Sequence, residues 1–358
     1  MPVIDIKKLK KEAIKLLIKL INIPSVSKNE YQASVLIENY FHKHGFYVKR
    51  KFNNIWVENS NFPKKENVKT ILLNSHIDTV KPVKGWRTNP FTATKKYDQI
   101  IGLGSNDAGG CVVSLISTFL YLSNLSNFPY KLIISITAEE EISGKLGIRS
   151  ILKEFGCIDL GIIGEPTNMK VAVAEKGLMV LYCIALGRSV HSAKSNGINA
   201  IYLAIKDINN LKNMLFDRKS ILLGYSTLNI TQIQGGIQHN IIPDFCSFIV
   251  DIRMNDLYEK NEFIEIIQKT IHSKIEIRSY HSTSYISSTH PIVLHAKFMG
   301  IKTYGSPTLS DQSIMTFPTI KMGVGDSSRS HTSNEYILVS EIEKGIDIYI
   351  GLLTRFLF

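Results

Sequence analysis

Three apolar runs constrain this chain more than any other feature: TILLNS at 70–75, KLIISIT at 131–137 and DLGIIG at 159–164. They alternate with helical stretches around 108–123 and 148–155, so each reads as a strand buried on both faces of a mostly parallel α/β sheet. Ile6, Leu9, Ala13, Leu16, Leu17 and Leu20 follow helical spacing. A first helix is therefore expected to run to about Ile21 and stop before Pro24. Its lysines suit either a solvated face above a core-packed stripe or a membrane surface, and core packing is the expectation.

Acidic and histidine residues gather where these runs end. His76 and Asp78 follow TILLN, Asp107 lies in GLGSNDAGG, Glu139, Glu140 and Glu141 follow KLIISITA, Glu165 lies in GIIGEPT and His331 in SRSHTSNEY. The carboxyl edge of an open α/β sheet is where ligands bind, so distant segments can converge there on one crevice. Two imidazoles with several carboxylates suit a borderline divalent ion such as zinc, and cobalt or manganese can take the same ligands. Such a site points to hydrolysis. Asp78 stands two residues after His76, so on a strand both side chains face one way. Asp78 can then accept the second ring N–H of His76, or it can merely cap the following turn. The three consecutive glutamates can likewise be read as the solvated start of a helix.

At 358 residues and 44% hydrophobic content, one or two domains are expected. From Leu178 the pattern changes to strand, helix, strand, strand, helix, strand, the order of a split ferredoxin-like unit. Placed at 177–281, this unit is an insertion into a larger domain made of 1–176 and 282–358. The last helix is expected to carry a capping box from Ser340 and Glu343. Net charge is +11, but the lysines are scattered and form no basic face, so no nucleic-acid partner is expected. Cys111, Cys157, Cys183 and Cys246 are far apart and read as buried free thiols of a reducing compartment. The start MPVIDIKKLKKEAIKLL lacks the apolar stretch of a signal peptide, and no run approaches a membrane span. A cytoplasmic protein with no membrane partner is expected.

Eight segments in order, SHID, GLGSNDAGG, AEEE, GEPT, VHSA, GGIQHNIIPD, VDIR and HTSNEY, resemble the dinuclear metal amidohydrolases. That family includes acetylornithine deacetylase, succinyl-diaminopimelate desuccinylase, aminoacylase and carboxypeptidase G. The resemblance spans nearly the whole chain. It implies two divalent ions, zinc first with cobalt or manganese as alternatives, with Asp107 bridging them, His76 and Glu165 completing one shell, and Glu141 with His331 the other. Three carboxylates then offset three of four positive charges, whereas unmetallated they would repel and protonate. By motif position Glu140 is the proton carrier, and Glu139 stands where relatives usually have Asp.

The resemblance further implies that His191 stabilises the oxyanion, often from a partner subunit of a homodimer. Asn240 and Arg253 would lie near a substrate carboxylate, although an ion pair with Asp251 is a rival for Arg253. After the bridging Asp many relatives carry Lys or Arg two positions later, where this chain has Gly109. The implied activity is removal of an acyl group from a small N-acyl amino acid. N-acetylornithine or N-acetylcitrulline comes first, with N-succinyl-LL-diaminopimelate and dipeptides as alternatives. A metal-binding homologue without activity would be expected to lack Glu140, which is present.

Overall fold

The computed structural model describes residues 5–64, 67–126 and 128–358. Residues 1–4, part of the stretch read above for a signal sequence, lie outside the described residues. The chain divides into two compact units. One comprises the chain up to Val173 with Ile286–Tyr304 and Ser310–Phe358, and the other Ala174–Tyr285 with Gly305–Leu309.

In the first unit Thr70–His76 runs parallel to Lys131–Thr137 on one side and Leu160–Ile163 on the other. Thr319–Lys321 continues the parallel set beside Leu160–Ile163. Asn54–Glu58 and Lys49–Lys51 extend the opposite side antiparallel. Every residue of Thr70–His76 is buried, as the uninterrupted apolar run requires. Alternate side chains serve two cores. Ile71, Leu73, Ile134 and Ile162 pack with the helices Ile6–Ile21, Gly110–Leu122 and Val339–Arg355. Leu72, Ile133 and Trp56 pack on the other face with Ile148, Ile151 and Phe155. Because His76 pairs with Thr137 and Asn74 with Ile163, the three strands finish nearly level. The polar segments that follow them therefore leave from one edge.

The first helix spans Ile6–Ile21, capped by Asp5, which accepts from the Lys7 N–H at 2.9 Å. Leu9, Ala13, Leu16, Leu17 and Leu20 are buried, so its apolar stripe is committed to the core. No described helix is long and apolar enough to cross a membrane.

Four local expectations differ from the structure. The helix expected from 108 begins at Gly110, because Asp107 and Ala108 have non-helical backbone angles. The stretch 148–155 forms two short 3-10 turns, Ile148–Ser150 and Leu152–Phe155. Its apolar spacing is helical, but the two turns are separated at Ile151, with φ −117°, and flanked by Gly147 and Gly156. The last helix starts at Val339, directly after the strand Tyr336–Leu338, so its cap shifts two residues earlier than expected. There Glu341 accepts from the Leu338 N–H at 3.0 Å, while Ser340 bonds to Asp98. Of the four free cysteines, Cys157 is exposed, since it follows the turn at Gly156 rather than lying in a strand.

The second unit has four antiparallel strands in the spatial order Thr227–Gly235, Phe245–Met254, Gly177–Leu186, Lys274–His281. Ala200–Lys212 and Lys260–Thr270 supply Ala204, Phe263 and Ile267 to the core that Leu181, Cys183 and Val250 build from the sheet. Burial alternates strictly along most of Gly177–Leu186, the mark of a sheet covered on one face. With strand order second, third, first, fourth, this is a ferredoxin-like arrangement.

Candidate metal centre

His76 is the last residue of its strand and is 1% exposed. Its Nδ1 lies 3.0 Å from the Asp78 carbonyl oxygen, so an Nδ1–H donor there leaves the Nε2 lone pair free. Nε2 is buried and has no hydrogen-bond partner among the described residues. It stands 3.3 Å from Asp107 Oδ1, 3.6 Å from Glu165 Oε1 and 4.0 Å from Glu140 Oε2. A buried ring nitrogen facing carboxylates without hydrogen-bonding them fits a ligand whose cation would lie between them.

The ring bond expected at the Asp78 carboxylate goes instead to the Asp78 carbonyl, and the carboxylate bonds elsewhere. One of its oxygens is 3.4 Å from His76 Nδ1, farther than the carbonyl. Its two oxygens accept from the Glu140 N–H at 3.0 Å, the Glu141 N–H at 3.1 Å and Ser27 Oγ at 2.7 Å. Asp78 thus caps a turn, but a turn from the neighbouring strand. That turn, Glu140–Ile142, is a single 3-10 turn rather than the start of a helix. Glu139 enters it with φ 57°, a conformation most side chains avoid. Glu139 is buried and accepts from the Leu146 N–H, and a Cβ at Gly144 would fall 2.0 Å from its carboxylate.

Asp107 is shared between two groups of candidate ligands: His76, Asp107 and Glu165, and Asp107, Glu141 and His331. Its Oδ2 is 3.6 Å from His331 Nε2, which bonds Glu141 Oε2 at 2.9 Å. All five sequence-expected ligands therefore meet at one edge, with Glu140 beside them.

The electrostatics show why protons would fill this centre in the absence of a cation. Burial raises the pKa of Glu165 to about 8, with Asp107 adding to the shift. Burial likewise raises Glu140 well above the carboxylate range, and it raises Glu141. Burial opposes the charged form of Asp107, but the contact with His76 prevails and lowers its pKa. Burial also disfavours the His76 imidazolium, yet Asp107 and Asp78 hold its pKa well above normal. His331 is raised to about 9, first by its bond to Glu141. Divalent cations would offset the same crowded charges.

Two acids that sequence reading did not single out belong to this neighbourhood. Glu335 accepts three backbone N–H bonds from the Asp107 loop. Asp311 is buried, accepts from Asn74 Nδ2 and Thr137 Oγ1, and is raised to about 6 by burial. Glu335 sits four residues after His331 within HTSNEY, whereas nothing in the local sequence PTLSD at 307–311 marks Asp311.

The remaining expected residues lie in the second unit. Val190–His191 pairs antiparallel with Ile241–Ile242, and the Ser192 N–H donates to the Asn240 carbonyl at 2.9 Å. His191 and Asn240 are therefore neighbours. The His191 ring is exposed and its Nδ1 accepts from the Ala193 N–H, while Asn240 Oδ1 is buried without a hydrogen-bond partner among the described residues. Arg253 forms a two-point ion pair with Asp251 at 2.8 and 3.1 Å, the rival arrangement. Gly109 also has a structural reason: a Cβ there would lie 2.4 Å from the Gly104 carbonyl and 2.8 Å from Leu17 Cδ1. The first helix fills the space that a basic side chain would need.

Succinyl-diaminopimelate desuccinylase of Buchnera aphidicola is 28% identical over 95% of this chain and 97% of its own length. Acetylornithine deacetylase of Salmonella typhimurium is 30% identical over 75% of each chain. The crystal structure of a dinuclear metal binding peptidase from Bacillus subtilis superposes with a TM-score of 0.72 at 16% identity, covering 97% of this chain and 98% of that one. Residues 72–355 match the model of peptidase family M20/M25/M40, and the chain belongs to that family of metal-dependent hydrolases.

Proposed function

We propose that this amidohydrolase removes the acyl group from the α-nitrogen of a small N-acyl amino acid, with N-acetylornithine or N-acetylcitrulline as substrate. The sharing of Asp107 between two ligand groups, with Glu140 alongside, supports amide hydrolysis, and the 30% identity to the Salmonella typhimurium acetylornithine deacetylase favours the acetyl substrate. His76, Asp107 and Glu165 would hold one divalent ion and Asp107, Glu141 and His331 the other. Zinc fits this nitrogen and oxygen set, as do cobalt and manganese. When bound, such a pair lowers the pKa of water and polarises an acyl carbonyl.

The chain's own groups do the rest. Glu140 takes a proton from the attacking water on its carboxylate and hands it to the leaving amine, a role suited to a carboxyl raised by burial. Asp78 positions it by holding the Glu140 and Glu141 N–H groups. A cytoplasmic place in arginine synthesis follows from that substrate.

Desuccinylation is the second reading, favoured by the match over 97% of the Buchnera aphidicola desuccinylase. Assays on N-acetylornithine, N-acetylcitrulline, N-succinyl-LL-diaminopimelate and dipeptides decide between them. The highest kcat/KM should fall on an N-acetyl amino acid. A higher value on the succinyl substrate replaces this reading with the second, and a higher value on dipeptides makes the enzyme a peptidase.

His191 serves in this reading as an oxyanion donor, and the 177–281 unit as a homodimer surface. His191→Ala should lower kcat with unchanged metal content. Mixed dimers of His191→Ala and Glu140→Ala chains should regain activity if His191 acts across the interface. Verified heterodimers without activity would place it in its own subunit's site or outside catalysis.

A further inference from the structure

The Glu335 side chain is 1% exposed, and among the described residues its carboxylate accepts from backbone N–H groups of one loop. Oε2 accepts from Gly104 at 3.0 Å, and Oε1 accepts from Asn106 at 2.8 Å and from Asp107 at 2.9 Å. The Glu335 carbonyl takes a fourth bond from the Gly102 N–H at 3.0 Å. Glu335 therefore grips the loop at Gly102, Gly104, Asn106 and Asp107, while its own segment carries His331 four residues earlier. Asp107 and His331 belong to one ligand group, and Asp107 belongs to the other as well.

A carboxylate suits this place for a reason of donor geometry. Three N–H groups converge on two oxygens, and an ionised carboxylate is acceptor-only on both. An amide of the same shape would keep one accepting oxygen and turn an NH2 group toward a backbone N–H. Burying a charge is costly unless it is fully hydrogen-bonded, so a loop that needed only a tether could use a neutral group at lower cost.

We infer that Glu335 is a positioning residue of the metal centre, whose carboxylate sets the backbone of Asp107 and couples it to His331, so that both ions depend on it. The inference rests on the dinuclear reading given above. It differs from a purely structural role, in which Glu335 would hold the fold without altering how tightly the ions bind.

The probe is cobalt(II), added to metal-stripped full-length protein in competition with a chelator of known affinity, with the visible cobalt spectrum read in parallel. Glu335→Gln should weaken the affinity for both ions by about 10- to 100-fold, the usual effect of losing a partner that orients ligands. Its cobalt spectrum should shift. Glu335→Asp keeps both accepting oxygens on a shorter stem and should fall between wild type and Glu335→Gln. Glu335→Gln that matches wild type in both affinities and in the spectrum overturns the inference, even if its metal-free Tm is lowered. Weakening of one ion alone overturns the coupling. If wild-type protein itself takes up no cobalt, the dinuclear reading has failed rather than the role of Glu335.

Discussion

Glu140→Ala should keep close to wild-type metal content while kcat falls by about 10²- to 10⁴-fold, the range expected when a general acid–base group is lost. The carboxylate of Glu140 belongs to neither candidate ligand group, and its backbone N–H is anchored by Asp78, a bond that does not depend on the side chain. Truncation therefore removes the proton carrier and leaves the turn in place. Glu141→Ala should behave differently, since its carboxylate bonds His331 and completes the second ligand group. There metal content should fall together with activity. Elemental analysis beside steady-state kinetics on the two variants separates the roles. Metal loss in Glu140→Ala with full occupancy in Glu141→Ala would show the two assignments to be reversed.

Asp107→Asn should empty both ion sites at once and reduce activity to background. The carboxylate offers one oxygen toward His76 and the other toward His331, and it is the one residue common to both groups. An asparagine retains a single accepting oxygen and presents an NH2 group on the other side, where a cation would have to sit. It also removes one of the negative charges that make the site attractive to a divalent ion. Glu165→Ala and His331→Ala each touch one group only, so each should lose one ion and retain the other. Metal per chain after dialysis, measured with circular dichroism to verify folding, distinguishes the outcomes. An Asp107→Asn protein that still holds both ions would end the bridging assignment.

Much of this was legible from residue order. Thr70–His76, Lys131–Thr137 and Leu160–Ile163 lie within a residue of the expected runs, because a strand covered on both faces has no alternative to continuous apolar sequence. Ligand types at the ends of those runs were equally visible. Local details were less so. The turn at Ser105–Gly109 and the broken helix at 148–155 both fall near helical spacing, yet neither forms a continuous α-helix in the structure.

Residue order alone established a mostly parallel sheet, an inserted ferredoxin-like unit and a set of acids and imidazoles at one sheet edge, since these follow from periodicity and from short-range chemistry. Tertiary structure decided which atoms face which. Asp78 turns its carboxylate to N–H groups 62 and 63 residues further on, and Glu335 reaches 229 residues back to the Asn106 N–H. Contacts of that span leave no periodic trace, because each depends on two segments being carried to the same edge by separate strands. The left-handed backbone at Glu139 and His331 belongs to the same class, since it is imposed on side chains that would not adopt it alone.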